Sequence, residues 1–238
     1  MDGGWAASAQ AWIEFVDKGD VNRNVLLDPI ILEQCGDVRG LHVADIGCGE
    51  GRTSRMLAER GASVVGFDLI EAFVEMAKAR HPGGTYVRSN AEHLPAQNDS
   101  FDLVISVLSL LDIPDYRRAI DEMVRILRPG GRLIIANASS MNTAGDGWAK
   151  DAEGNKLYWP IDDYFVERGP LADWANIKVI NYHRPLQSYM DAFLGHGLVL
   201  RRFIEPCPTA EQIAVAPNLA VQLKMPFFVV MQWQQQSS

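Results

Sequence analysis

Residues 43–52 read VADIGCGEGR, an apolar run that breaks into a glycine turn. The run Leu41–Ile46 leads into three glycines at alternate positions, Gly47, Gly49 and Gly51, and helix-compatible sequence from Arg52 to Arg60 follows directly. Glycines there let the backbone turn sharply and let a ligand sit against the amides with no Cβ in the way. The dinucleotide fingerprint is G-x-G-x-x-G, with a pyrophosphate at the helix N-terminus. Here the spacing is G-x-G-x-G behind Asp45, which favours a ligand with an amino acid part over a diphosphate: a carboxylate at Asp45 holds an ammonium, directly or through water. The next apolar run, Ser63–Phe67, ends at Asp68, 17 residues beyond Gly51, where an acid at a strand tip takes both hydroxyls of a ribose. Alone, the glycine run also fits a tight turn, Asp45 a turn cap and Asp68 a helix N-cap. Together they point to a nucleoside site.

The strand–turn–helix rhythm continues outward. A helix over Glu71–Arg80 is stopped by His81–Pro82–Gly83–Gly84; Thr85–Arg88 reads as a short third strand, and Phe101–Val107 as a fourth, apolar enough to be buried on both faces. Ile120, Met123, Val124 and Leu127 recur at helical spacing and predict an amphipathic helix over Tyr116–Leu127. Arg128–Pro129–Gly130–Gly131 is expected to break it before a fifth strand, Arg132–Ala136. Strands alternating with crossover helices predict an α/β chain with a parallel sheet. The rhythm fails over residues 139–185, which hold 7 of the chain's 21 aromatics and read as an insertion covering one end of the sheet. A helix near Leu186–Leu194, a strand near Leu198–Ile204 and a closing strand at Phe227–Trp233 follow. One domain is expected over residues 1–238: a helical lead-in (1–39), a core (40–138), the insertion (139–185), and a C-terminal helix and strands (186–238).

With 238 residues, 47% of them apolar, the chain is long enough to bury its own core, and its longest apolar runs fall far short of the roughly 18 residues of a membrane helix. A net charge of −8 without any Lys/Arg cluster argues against a nucleic-acid partner. The opening MDGGWAASAQAWIEF has an acid where a signal peptide carries positive charge. Cys35, Cys48 and Cys207 form no disulfide framework or zinc spacing, so a reduced, cytoplasmic protein without a structural metal is expected.

The motifs ADIGCGEGR (44–52), VVGFD (64–68), SNAEHLP (89–95), SFDLVISVLSL (100–110) and ILRPGGRLII (126–135) span about residues 40–138. Their order and spacing resemble the class I S-adenosylmethionine-dependent methyltransferases, closest to the group of ubiquinone- and menaquinone-biosynthesis and other small-molecule enzymes. The resemblance implies a Rossmann-like fold: a mostly parallel seven-stranded sheet with an antiparallel C-terminal strand and helices on both faces. It implies S-adenosylmethionine as cofactor and S-adenosylhomocysteine as product. It further implies that Gly47, Cys48 and Gly49 line the methionine part with Asp45 beside it, that Asp68 binds the ribose, and that Leu69 packs on the adenine. Asn90 stands where the family usually has an Asp, before Ala91 and Glu92 and near the adenine amino group; its side-chain oxygen still accepts from an exocyclic amine. Ser106, at the tip of the fourth strand, would lie close to the sulfonium and the acceptor, although Ser106 and Glu92 fit structural roles equally. In similar enzymes an arginine of the N-terminal segment reaches the cofactor's carboxylate, which marks Arg23, otherwise a solvated surface arginine.

Methyl transfer from a sulfonium is an in-line displacement, so positioning supplies much of the rate. A hydroxyl acceptor must also lose its proton, for which a histidine is the natural recipient. Of His42, His81, His93, His183 and His196, only His183 falls at the end of the aromatic insertion, where the family places its acceptor pocket. It is the candidate catalytic base; the rival reading is a structural histidine bonding a backbone carbonyl. Trp148, Tyr158, Trp159 and Tyr182, with Trp12 from the lead-in, are candidate walls for a flat, weakly polar acceptor, and core or lid roles suit them as well. The turn after the fourth strand lacks the N-P-P-Y pattern of amino-methylating DNA enzymes, Cys207 has no basic surroundings, and Asp162–Asp163 is an isolated pair. The expected function is methyl transfer from S-adenosylmethionine to oxygen or nitrogen of a small, cyclic or aromatic metabolite; the alternative is a cofactor-binding protein of this fold that is silent or catalyses another reaction. The glycine spacing disfavours a nicotinamide oxidoreductase.

Overall fold

In the computed structural model, which describes residues 2–236, the chain opens with α1 (Trp5–Asp17), a π-helical turn (Asn22–Leu27) and α2 (Asp28–Cys35). Strands and helices then alternate through β1 (His42–Ile46), α3 (Arg52–Ala58), β2 (Ser63–Asp68), α4 (Glu71–Arg80), β3 (Thr85–Arg88) and β4 (Phe101–Val107). A 3-10 turn (Leu110–Asp112), α5 (Tyr116–Ile126) and β5 (Leu127–Ala138) follow. The 139–185 segment carries α6 (Ser140–Ala144) and two hairpins, β6 (Ala149–Lys150) with β7 (Lys156–Tyr158), and β8 (Leu171–Trp174) with β9 (Ile177–Ile180). The last part holds α7 (Leu186–Leu194), β10 (Val199–Ile204), α8 (Ala210–Val215), a 3-10 stretch (Pro217–Leu223) and β11 (Phe228–Gln234).

Seven strands form one sheet in the order β10-β11-β5-β4-β1-β2-β3. β11 runs antiparallel to both its neighbours, and the remaining pairs are parallel. The period of two sorts each strand between two apolar layers. Leu133 and Ile135 of β5 and Met231 and Trp233 of β11 face α5 and α7. Ile134, Ala136 and Val230 face α2 and the π-helical turn through Leu26, Leu27 and Ile31. Trp233 is fully buried and stacks on Phe193 with ring centroids 5.0 Å apart. Asp115 caps α5 by accepting from the Arg118 amide at 3.0 Å. None of the described helices is long and apolar enough to cross a membrane.

The largest departure from the expected boundaries is at the start of β5, the other ends named above shifting by at most two residues. Arg128–Pro129–Gly130–Gly131 ends α5 but does not leave the sheet: β5 begins at Leu127, opposite Phe101, and the register shifts before Leu103 pairs with Arg132. Gly130, at φ +75°, supplies a left-handed residue for this bulge. The Gly131 carbonyl stays paired by accepting from the Gln235 amide at 3.0 Å, so the bulge leaves that acceptor satisfied.

Candidate active site

A cavity of about 960 Å³, counting its open mouth, lies at the carboxyl ends of the parallel strands, where ligands of open α/β sheets bind. Its floor is the glycine turn after β1. Gly47 and Cys48 donate their amides to the Phe67 carbonyl at 2.8 and 3.0 Å, tying the turn to the end of β2. Gly47 has φ +71°, and a Cβ there would lie 2.3 Å from the Ser109 Cβ, so only glycine lets the turn after β4 approach this closely. Glu50, buried, accepts from Arg55 at 2.7 Å and Arg80 at 2.8 Å, which clamps the turn to α3 and α4.

Asp68 stands at the tip of β2 on the cavity wall. Its Oδ2 accepts from the Gly49 amide at 2.8 Å and its Oδ1 from the Ile70 amide at 2.9 Å. A carboxylate has about four lone-pair sites, so two remain for ligand hydroxyls. Burial pushes Asp68 up to about 6 against the pull of these amides.

Asp45 is placed differently. It lies beneath the turn, off the cavity wall, accepting from the Ser54 hydroxyl at 2.7 Å, and burial raises it to about 6. Its carboxylate is therefore not on the wall to hold an ammonium directly; its charge couples to that of Arg23, which does line the cavity. An acid whose pKa rises on folding binds more protons folded than unfolded, so it costs stability at neutral pH and nothing below about pH 4. A rise from 3.8 to about 6 corresponds to roughly 3 kcal/mol. Asp45→Asn, which keeps an acceptor for Ser54, should raise the Tm at pH 7.5 by about 2–10 °C. Thermal unfolding from pH 4 to 8 checks it: the gain must vanish at the acid end.

The third motif continues the wall beside Asp68. Leu69, Ile70 and Phe73 line the cavity together with Ser89, Asn90, Ala91 and Glu92, and the Ser89 amide donates to the Asp68 carbonyl at 2.8 Å. Asn90 and Glu92 close on each other: Asn90 Oδ1 accepts from the Glu92 amide at 3.0 Å, and Asn90 Nδ2 donates to Glu92 Oε2 at 3.3 Å. Arg23 enters from the π-helical turn, a backbone form that recurs at functional sites. It is buried, lines the cavity and sits 5.9 Å from the Trp12 ring centroid. Its Nε is enclosed with no hydrogen-bond partner among the described residues, so the side chain is not tied to another group through that atom. Trp5 and Trp12 of α1, in edge contact at 5.6 Å, complete the wall on that side.

Several expected residues lie elsewhere. His183 is fully buried outside the cavity. Its Nε2 donates to the Tyr164 carbonyl at 2.8 Å, which leaves Nδ1 to accept from the Thr143 hydroxyl at 2.8 Å. Burial lowers its pKa, keeping the ring neutral. With both nitrogens occupied, His183 has no free atom to take an acceptor's proton, and the base role expected of it is withdrawn. Ser106 is also fully buried; its hydroxyl lies 2.6 Å from that of Ser109, which donates to the Ile46 carbonyl, and it is Val107, Leu108 and Ser109 that face the cavity. Trp148 and Trp159 cluster with Phe227 at the start of β11, Tyr158 is exposed, and Tyr182 lies under the Arg184 guanidinium at 4.6 Å; none of the four lines the cavity.

Asp112, not singled out from sequence, joins the site and is held there by residues outside the cavity. Asp112, in the 3-10 turn after β4, lines the cavity and accepts from Asn181 Nδ2 at 2.5 Å. Burial pushes it up to about 8. Arg184, buried, donates to the carbonyls of Leu110, Ile113 and Pro114 at 3.0, 2.5 and 3.0 Å, and the Tyr182 amide donates to that of Leu111 at 2.7 Å. The stretch after β9 thus holds the Asp112 turn in place. Among the described residues no group of three His, Cys, Asp or Glu is arranged to hold a metal.

The sequence matches a family model described as a methyltransferase domain over residues 44–135. A solved S-adenosylmethionine-dependent methyltransferase from Mesorhizobium loti is 34% identical and superposes with a TM-score of 0.80, over 92% of this chain and 99% of that one. A structure from Listeria monocytogenes gives a TM-score of 0.82 at 27% identity, over 91% and 99% of the two chains. The phthiotriol/phenolphthiotriol dimycocerosates methyltransferase of Mycobacterium leprae is 36% identical over 125 residues, 51% of this chain. The match spans 46% of that protein, so the chain aligns with about half the length of the curated relatives. Glycine turn, strand-tip Asp68, strand order and these relatives agree: the chain belongs to the class I S-adenosylmethionine-dependent methyltransferases.

Proposed function

We propose that this chain, as a single domain, transfers a methyl group to an oxygen or nitrogen of a small, cyclic or aromatic metabolite within the one cavity. The observation that carries the reading is that one cavity is lined by the buried Arg23, the Gly47–Gly49 turn and Asp68 together. In this reading Arg23 takes the cofactor's carboxylate, Gly47, Cys48 and Gly49 flank its methionine part, Asp68 holds the ribose, and Leu69 with Asn90, Ala91 and Glu92 encloses the adenine. S-adenosylmethionine, when bound, supplies a methyl group on a positively charged sulfur. The chain's own residues orient both partners and exclude water: Trp5 and Trp12 shield one side, and the turn after β4 presents Val107, Leu108 and Ser109 toward the acceptor. Leu108 is held at φ +53°, an unusual conformation for a branched residue and of the kind that collects at ligand sites.

The Mycobacterium leprae relative is named for phthiotriol and phenolphthiotriol dimycocerosates, but the match spans only 46% of it, so the acceptor is argued from this cavity. Incubation with labelled S-adenosylmethionine and a panel of small cyclic alcohols, phenols and amines is expected to yield methylated product together with S-adenosylhomocysteine. Binding of the cofactor without product on any class would leave a silent binder and overturn the transferase reading. Arg23→Met should weaken S-adenosylhomocysteine by about 10–100-fold, the worth of one charged hydrogen-bond pair, without lowering the Tm. Unchanged affinity would remove Arg23 from the cradle.

A further inference from the structure

We infer that Asp112 makes the acceptor end of the cavity a site for a protonated amine, binding the ammonium and taking its proton so that the nitrogen becomes the methylated atom. The inference rests on the methyltransferase reading above and narrows it. Once the walls given to the cofactor are set aside, what remains is Trp5, Trp12 and Phe73, the apolar and hydroxyl groups of the turn after β4, and two carboxyls, Asp2 and Asp112. Arg23 is the one cationic side chain among the lining residues, and it is the residue proposed above for the cofactor's carboxylate. A carboxylate or phosphate acceptor would meet like charges there; an ammonium meets a carboxylate and ring faces that attract cations.

Asp112 is built in rather than incidental. Asn181 donates to its Oδ1, and Arg184 fixes the carbonyls on both sides of it, so its position is set by two side chains from one distant stretch of chain. The groups facing it are the amide of Asn181, the Trp5 side chain, the Asp68 carboxylate, the Arg184 guanidinium and the Tyr189 hydroxyl, with Asp2 on the same cavity wall. Burial and Asp68 push its carboxyl up while Asn181, Trp5 and Arg184 pull it down, and burial wins. Burial raises this carboxyl toward the range of an alkylammonium, near 10.4 in lysine, which narrows the gap the proton must cross. In that step one N–H bond breaks and its electron pair stays on nitrogen as the attacking lone pair. An O–H bond forms on Asp112, and the total charge of the pair is conserved.

Matched probes test this: benzylamine, benzyl alcohol and benzoate, and phenethylamine, 2-phenylethanol and phenylacetate. Each is titrated calorimetrically into the S-adenosylhomocysteine complex and assayed for methylation with S-adenosylmethionine. Amines should bind at least about tenfold tighter than the alcohols, and the carboxylates weakest. Asp112→Asn should weaken amine binding about tenfold or more and slow amine methylation about 100-fold, with partial recovery in Asp112→Glu and S-adenosylhomocysteine affinity within about threefold of wild type. The rise of kcat/KM through about pH 8 should disappear in Asp112→Asn. Alcohols or carboxylates binding as tightly as amines would overturn the inference. So would amine binding unchanged in Asp112→Asn, or no amine bound by a protein that binds S-adenosylhomocysteine. Parallel loss of cofactor affinity in Asp112→Asn would place the residue in the cofactor cradle instead. Failure of the wild type to bind S-adenosylhomocysteine is a separate outcome, and it would overturn the methyltransferase reading itself.

Discussion

Asp68→Ala is expected to abolish practical cofactor binding, weakening S-adenosylhomocysteine by about 100–1,000-fold. Two hydroxyl hydrogen bonds to a charged acceptor are worth roughly 3–4 kcal/mol, and each 1.4 kcal/mol is tenfold. The same carboxylate holds the Gly49 and Ile70 amides, so its loss also frees the floor of the cavity. The fold should survive, because a buried carboxyl raised to about 6 is itself a cost at neutral pH, and removing it offsets the lost amide bonds. The wild-type affinity should fall as pH drops through about 6, where protonation takes away an acceptor, and Asp68→Asn should show no such fall. Calorimetric titrations of the three proteins between pH 5 and 8 check both statements; a wild-type affinity flat across that range would contradict the role given to Asp68.

His183→Ala is expected to act on stability and leave the cofactor alone. Removing a fully buried ring strands the Thr143 hydroxyl and the Tyr164 carbonyl and leaves a cavity, together about 2–4 kcal/mol, or a fall in Tm of roughly 5–15 °C. S-adenosylhomocysteine affinity should stay within about twofold of wild type. The sign of the pH effect follows from the lowered pKa: the unfolded chain protonates this histidine more readily, so its stabilisation is complete above about pH 6.5 and is lost as pH falls below it. Thermal melts at pH 5.5 and 7.5 should therefore show the larger difference between the two proteins at pH 7.5. A variant as stable as the wild type but slow in turnover would return His183 to the chemistry.

What the sequence discloses is what depends on near neighbours. Apolar period, glycine breaks and spacing place Glu71–Arg80, Thr85–Arg88 and Phe101–Val107 at their observed bounds, since strand and helix periodicity is a local property. The pairing of the glycine turn with Asp68 is legible for the same reason: one strand–helix–strand unit carries both. Ser106 shows the limit. Its place in the motif suggests the strand tip, yet its pairing with Ile135 keeps it in the buried part of the sheet, and the cavity begins one residue later at Val107. Aromatic content marks residues 139–185 as unusual but does not say which face its rings cover, and Trp148 and Trp159 go to Phe227.

Asp112 is harder still to read. It follows the apolar run Leu108–Leu111, and its meaning comes from Trp5, more than a hundred residues earlier, and from Asn181 and Arg184, about seventy residues later. No spacing rule encodes such a meeting. The stretch Asn181–Pro185 does matter to the acceptor side, through its amide and its arginine rather than through its histidine.

A crystal structure with S-adenosylhomocysteine tests the central claim most directly. The ligand should lie at the carboxyl ends of β1, β2 and β4 with both ribose hydroxyls on the Asp68 carboxylate and its own carboxylate on Arg23. Density for the ligand in any other place, or a ribose held by something other than Asp68, would contradict the site described here.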